Sequence, residues 1–141
     1  MGRIVAIDYG RKRTGLAATD TLQLIANGLT TVSSSKVVDY LLDYVAREPV
    51  DLFVVGDPRQ MNNEPSENWK YVEAFVKHLN RKLPDIQTVY CDERFTSVMA
   101  RRAMIDGGLK KKKRQDKNLV DEISAVLILQ SYLESVKYNK I

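Results

Sequence analysis

A short apolar strand that runs straight into an aspartate and a glycine constrains the fold of this chain more than any other feature. Residues 3–17 read RIVAIDYGRKRTGLA, so Asp8 ends the apolar run and three cations and a second glycine follow Gly10. An unpaired charge buried at a strand end is strongly penalised. Asp8 therefore needs a metal ion beside it, or cations that hold a phosphate. The segment points to phosphate chemistry.

Bulk properties set broad bounds on the rest of the chain. Its 141 residues are predicted to form one domain, residues 1–141, large enough to bury a core of two or three layers. The single cysteine, Cys91, excludes an internal disulfide and suits a reducing cytoplasm. No apolar run has the length of a membrane span, and no signal peptide is evident. The net charge of +4 favours a polyanionic partner.

Hydrophobic periodicity predicts alternating strands and helices. Ser33, Ser34 or Ser35 is expected to cap the first helix, which ends before Pro49, and Ser66 the second. Thr96 or Ser97 is expected to cap the third helix. The predicted strands are 3–8, 15–19, 23–32, 50–55 and 86–91, and the predicted helices begin near residues 36, 67, 97 and 118. In the last helix the predicted core contacts are Ile123, Val126, Leu127, Leu133 and Val136.

This order predicts an α/β fold with a mixed five-stranded sheet and helices on both faces. Ligand sites in such sheets lie at the carboxyl ends of the strands. Asp8, the Gly56-Asp57-Pro58 turn and the Asp92-Glu93 pair all fall at predicted strand ends. We expect them to converge on one crevice.

Carboxylates at these positions could hold divalent ions, because Mg²⁺ prefers oxygen ligands. The candidates are Asp8, Asp92 or Glu93, and Asp121 or Glu122, and spacing alone does not choose within either pair. Each has a plainer alternative. Asp8 could form a turn, an acid of the Asp92-Glu93 pair could bind Arg94, and Asp121 could favour a helix start.

Cations flank these acids in two places. Arg11, Lys12 and Arg13 follow Asp8 and are candidates for binding nucleic-acid phosphates, or they form a solvated turn. A second group of consecutive cations is typical of a flexible arm that binds nucleic acid. It consists of Lys110, Lys111, Lys112, Lys113 and Arg114. Trp69 and Tyr71 are predicted to pack within the protein rather than to stack on bases.

The chain resembles the YqgF/RuvX family, whose fold is ribonuclease H-like. Four motifs in the family's order carry the resemblance: DYGRKRTGLA from Asp8, VVGDP from Val54, DERFTS from Asp92 and DEISA from Asp121. The loop after Gly56 departs from the family at Asn63, where a glycine is usual.

The resemblance implies a cytoplasmic bacterial nuclease that needs Mg²⁺ or Mn²⁺. Members are described as Holliday junction resolvases and as nucleases that mature the 5′ end of pre-16S rRNA. The family's three catalytic, metal-binding acids map onto Asp8, Glu93 and Asp121. The implied substrate is structured RNA or branched DNA, with Arg94 and the two cation groups as phosphate contacts. The protein is expected to act as a monomer or homodimer away from membranes.

Two other functions fit parts of the same pattern. A non-catalytic RNA-binding assembly factor would use the basic segment alone. A nucleotide-binding module of the actin and sugar-kinase type also begins with an acid and glycine after a strand, but it generally needs two domains. The nuclease is the preferred hypothesis.

Overall fold

In the residues that the structure describes, five strands form one mixed sheet with helices on both faces. The structure is a computed structural model, and it describes residues 2–57, 68–92 and 117–139. The strands are β1 (Arg3–Tyr9), β2 (Arg13–Thr19), β3 (Ala26–Ser33), β4 (Val50–Asp57) and β5 (Gln87–Asp92). The helices are α1 (Val37–Arg47), α2 (Trp69–Lys82) and α3 (Lys117–Asn139), and a 3₁₀ turn, Ser34–Lys36, precedes α1.

The strand order is β3-β2-β1-β4-β5, which confirms the predicted fold class. The first three strands form an antiparallel meander, and β1, β4 and β5 run parallel. The three parallel strands therefore end at the same side of the sheet, which we call the carboxyl edge. Several predicted features lie outside the described residues: the Ser66 cap, Asn63, the helix after Thr96 and the basic segment from Lys110 to Arg114.

Alternation along β1 separates two hydrophobic cores, because successive side chains point to opposite faces. Val5 and Ile7 face α1 and α2, whereas Ile4 and Ala6 face α3. The α3 core contains three alanines, Ala6, Ala17 and Ala125, beside larger apolar side chains. Small residues let the helix backbone approach the sheet closely.

The buried face of α3 differs from the predicted one. Ser124, Ala125, Ile128 and Leu129 are buried, whereas Ile123 and Leu127 remain partly exposed. Of the predicted contacts, Val126 and Leu133 pack at the margin of this core. Nearly every position from Ile123 to Leu129 is apolar, so periodicity alone could not identify the face that meets the sheet.

The turn between β2 and β3 is longer than predicted. The Asp20 carboxylate accepts hydrogen bonds from the backbone N–H groups of Leu22, Leu24 and Ile25, at 3.2, 2.9 and 2.9 Å. These donors hold the pKa of Asp20 below its usual value, because they stabilise its charged form. Gln23 adopts a positive φ of 58°. The strand prediction for residues 23–25 is therefore wrong, since Asp20 organises them as a turn.

Candidate active site

Asp8 lies at the carboxyl edge on the face that α3 covers. It follows Ile4 and Ala6 in the period-two pattern of β1, and both of those side chains pack against α3. The Asp8 residue is partly buried. The first strand thus places this carboxylate on the side of the sheet that the last helix covers.

A close backbone contact brings Asp121 to the same place. Asp8 pairs with Gly15 across the β1–β2 ladder. A Cβ at Gly15 would overlap the backbone carbonyl of Asp121, so α3 rests directly on β2 at this glycine. Gly15 is therefore needed because it has no side chain. The backbones of two predicted site acids, from opposite ends of the chain, therefore both lie next to Gly15.

Arg13 forms an ion pair with one of these acids. Its Nε lies 3.0 Å from Oδ2 of Asp121, and the two side chains are 37% and 24% exposed. The sequence predicted Arg13 as a phosphate contact, and in the structure its guanidinium binds a carboxylate that the sequence proposed for the metal site. The pair lowers the net negative charge around the two acids.

The other two predicted cations of the turn, Arg11 and Lys12, are exposed at the carboxyl edge. The backbone N–H of Gly10 donates to the Arg13 carbonyl at 3.0 Å and closes the β1–β2 turn. The backbone N–H of Ser34 donates to the Lys12 carbonyl at 3.0 Å. The turn therefore presents both cations from a fixed backbone.

Ser34 contributes to this site instead of capping α1. Its hydroxyl donates to the Gly10 carbonyl and bonds to the Thr14 hydroxyl, 2.8 Å away. Neither Ser33 nor Lys36, at the helix boundaries, makes a side-chain cap hydrogen bond. The capping prediction is wrong, because a serine run before a helix has the same sequence whether it bonds to the helix or to a distant turn.

Asp57 does not join the two acids. It is 5% exposed, and alternation along β4 puts it on the face of Phe53 and Val55, which pack with α1 and α2. It pairs in register with Asp92 of the neighbouring strand. The strand ends do share one edge, but Asp57 points to the opposite face from Asp8.

Glu93 and Arg94 lie outside the described residues, as does the basic segment, and the side chain of Asp92 is not described. Within the described part of the chain, no group of three or more His, Cys, Asp or Glu side chains is placed to hold a metal ion. Asp8 and Asp121 supply carboxylate oxygens, the donors that Mg²⁺ and Mn²⁺ prefer. The two acids fit a divalent ion that takes further ligands from elsewhere.

A mixed five-stranded sheet of this strand order with helices on both faces is typical of the ribonuclease H-like class. The chain superposes on Thermus thermophilus RuvC, solved in complex with a Holliday junction substrate, with a TM-score of 0.58 and 14% identity over 96% of each chain. A second structure of that RuvC gives a TM-score of 0.55. At this identity the likeness establishes the fold.

The chain belongs to the RuvX family, whose model, described as Holliday junction resolvase, matches residues 2–135. It is 75% identical to a protein of Parabacteroides distasonis over 99% of both chains. It is 62% identical to one of Phocaeicola vulgatus, covering 98% of this chain and 99% of the relative. Both relatives carry the name "Putative pre-16S rRNA nuclease". The chain is therefore a nuclease that acts on nucleic acid.

Among the described residues, no helix is long and apolar enough to cross a membrane.

Proposed function

We propose that this single-domain nuclease processes the 5′ end of pre-16S rRNA in the bacterial cytoplasm, with Asp8, Glu93 and Asp121 holding Mg²⁺ or Mn²⁺. The observation that carries the proposal is the packing of the Asp121 backbone against Gly15, the residue that pairs with Asp8. The names of the full-length relatives support the RNA substrate. Holliday junction cleavage is the second candidate, and the family description supports it.

The chain's own residues have distinct roles in this proposal. Asp8 and Asp121 bind the divalent ion, together with Glu93. When bound, such an ion lowers the pKa of a water and stabilises charge on the phosphate oxygens. Arg13 orients the Asp121 carboxylate through its 3.0 Å contact. Arg11 and Lys12, with Arg94 and the cations from Lys110 to Arg114, bind phosphates and position the strand without reading its sequence.

A matched substrate panel tests this function. Purified protein is incubated with a pre-16S rRNA 5′ segment and with a four-way DNA junction, each with Mg²⁺, with Mn²⁺ and with chelator. We expect metal-dependent cleavage of the RNA and slower cleavage of the junction. Faster cleavage of the junction than of the RNA would instead indicate that Holliday junctions are the substrate. RNA binding without cleavage in either metal would indicate a non-catalytic assembly factor.

Substitution of Arg13 tests its place beside the metal site. Without the guanidinium, the Asp121 carboxylate keeps its full negative charge for a divalent cation. We therefore expect Arg13→Met to bind Mn²⁺ severalfold more tightly than the wild type does. The effect is modest because the ion pair is partly solvated. Calorimetric titration with Mn²⁺ measures it, and Arg47→Met is the control because Arg47 pairs with Asp43 on α1. Weaker Mn²⁺ binding by Arg13→Met would contradict the proposed charge balance.

A further inference from the structure

The start of α2 is fixed to the end of β1, next to Asp8. The side-chain amide of Asn68 donates to the Tyr9 carbonyl at 3.1 Å. The Tyr9 ring stacks on Phe75 of α2, with ring centroids 4.5 Å apart. The first turn of α2 is therefore held at the carboxyl edge, on the face of the sheet opposite α3.

An exposed aromatic ring lies in this turn with two cations against it. Tyr71 is 40% exposed. The guanidinium carbon of Arg11 lies 5.1 Å from the centre of its ring, and the Lys70 ammonium lies 5.6 Å from the same point. Both distances are in the range of cation–π attraction. Arg11 comes from the β1–β2 turn and Lys70 from α2, so two separate elements build the cluster.

Packing of the helix does not account for the exposed ring. The core face of α2 consists of Val72, Phe75, Val76 and Leu79. Tyr71 precedes that face and Lys70 is exposed beside it. The prediction that Trp69 packs agrees with its ring contact to Tyr90, 5.2 Å between centroids. Tyr71 instead presents an exposed aromatic ring with two positive charges close to it.

We infer that Arg11, Lys70 and Tyr71 bind an unpaired nucleotide of the substrate strand next to the bond that is cut. Aromatic side chains stack on bases of any sequence, and neighbouring cations contact the backbone phosphates. Asp8 and the cluster lie at the same carboxyl edge, towards opposite faces of the sheet, so a strand crossing that edge can reach both. A base that is paired and stacked inside a duplex cannot stack on the Tyr71 ring. This inference rests on the proposed function. It predicts that the nuclease prefers substrates that are single-stranded next to the cleaved bond.

Measuring RNA binding in the presence of a chelator separates the contribution of this cluster to binding from its effect on cleavage. Fluorescence anisotropy is measured with one labelled RNA, first single-stranded and then fully paired. We expect Tyr71→Ala to weaken single-strand binding about 5- to 150-fold, the range found for loss of one stacked base. Tyr71→Phe should bind within about twofold of the wild type because it keeps the ring. Duplex binding should change little in either variant.

The salt dependence tests Lys70. Lys70→Gln is expected to reduce the slope of log K against log salt by about one, as loss of one phosphate contact predicts. Lys82→Gln is the control, because Lys82 is exposed at the far end of the same helix. Thermal melting verifies that every variant is folded.

Two outcomes would overturn the inference. One is single-strand binding by folded Tyr71→Ala that equals the wild type, and the other is an equal loss of salt dependence in Lys82→Gln. Either result leaves the proposed function intact if the wild type cleaves RNA. Conversely, the wild type could fail to cleave RNA while Tyr71→Ala loses single-strand binding. That result would refute the proposed function but support the nucleotide-binding site.

Discussion

Replacing Asp8 with asparagine is expected to lower Mg²⁺-dependent RNA cleavage by at least about a hundredfold while leaving the fold intact. Loss of a group that only supports a metal ligand already costs about 10- to 100-fold, and Asp8 is proposed as a ligand itself. Asparagine keeps the size of the side chain but removes the charge that binds the ion. Single-turnover cleavage at saturating RNA measures the effect, and Mn²⁺ calorimetry reports the metal site independently.

Asp85→Asn is the matched control for that experiment. Asp85 is exposed in the turn before β5, at the end of the sheet away from the carboxyl edge. The same chemical change there should leave cleavage and Mn²⁺ binding unaltered. Undiminished cleavage by a folded Asp8→Asn variant would remove Asp8 from the mechanism.

Gly15→Ala should cause the largest loss of stability, at least about 3 kcal/mol in the free energy of unfolding, the upper part of the usual range for overpacking. The added Cβ would overlap the Asp121 backbone carbonyl, and neither the strand nor the helix backbone can move aside without losing packing. We expect α3 to be displaced and cleavage to be lost with it. Urea denaturation measures the stability, and amide hydrogen exchange in α3 locates the change.

Gly28→Ala provides a contrasting control on the neighbouring strand. A Cβ at Gly28 would meet the far end of the Glu122 side chain, which can change its rotamer. We expect less than about 1 kcal/mol of change, since reduced chain entropy in the unfolded state offsets part of the contact. Equal losses in the two variants would show that neither depends on backbone contact with α3.

The sequence predicted well those features that depend on local pattern. Apolar runs located β1, β4 and β5 within two residues at each end, and Pro49 marked the end of α1. The position of Asp8 at the end of the first strand followed from the same pattern. These elements are determined by residues close together in the chain.

Features that depend on distant partners were missed. Ser34 was one of three serines predicted as possible helix caps, but its hydroxyl bonds to Gly10 and Thr14. Arg13 was predicted to contact phosphate, and its ion pair with Asp121, far along the chain, was not foreseen. The requirement for Gly15 is also set by that helix. Only the folded topology brings these groups together, so no spacing rule could identify them.

The contact between β2 and α3 has a consequence for protein synthesis. Asp8 is made among the first residues, whereas Asp121 reaches Gly15 only after α3 has left the ribosome and docked. A nascent or prematurely terminated chain that lacks α3 carries half of the acid pair. In the proposed mechanism such a chain would lack the complete metal site, so cleavage would begin only once α3 has docked on β2.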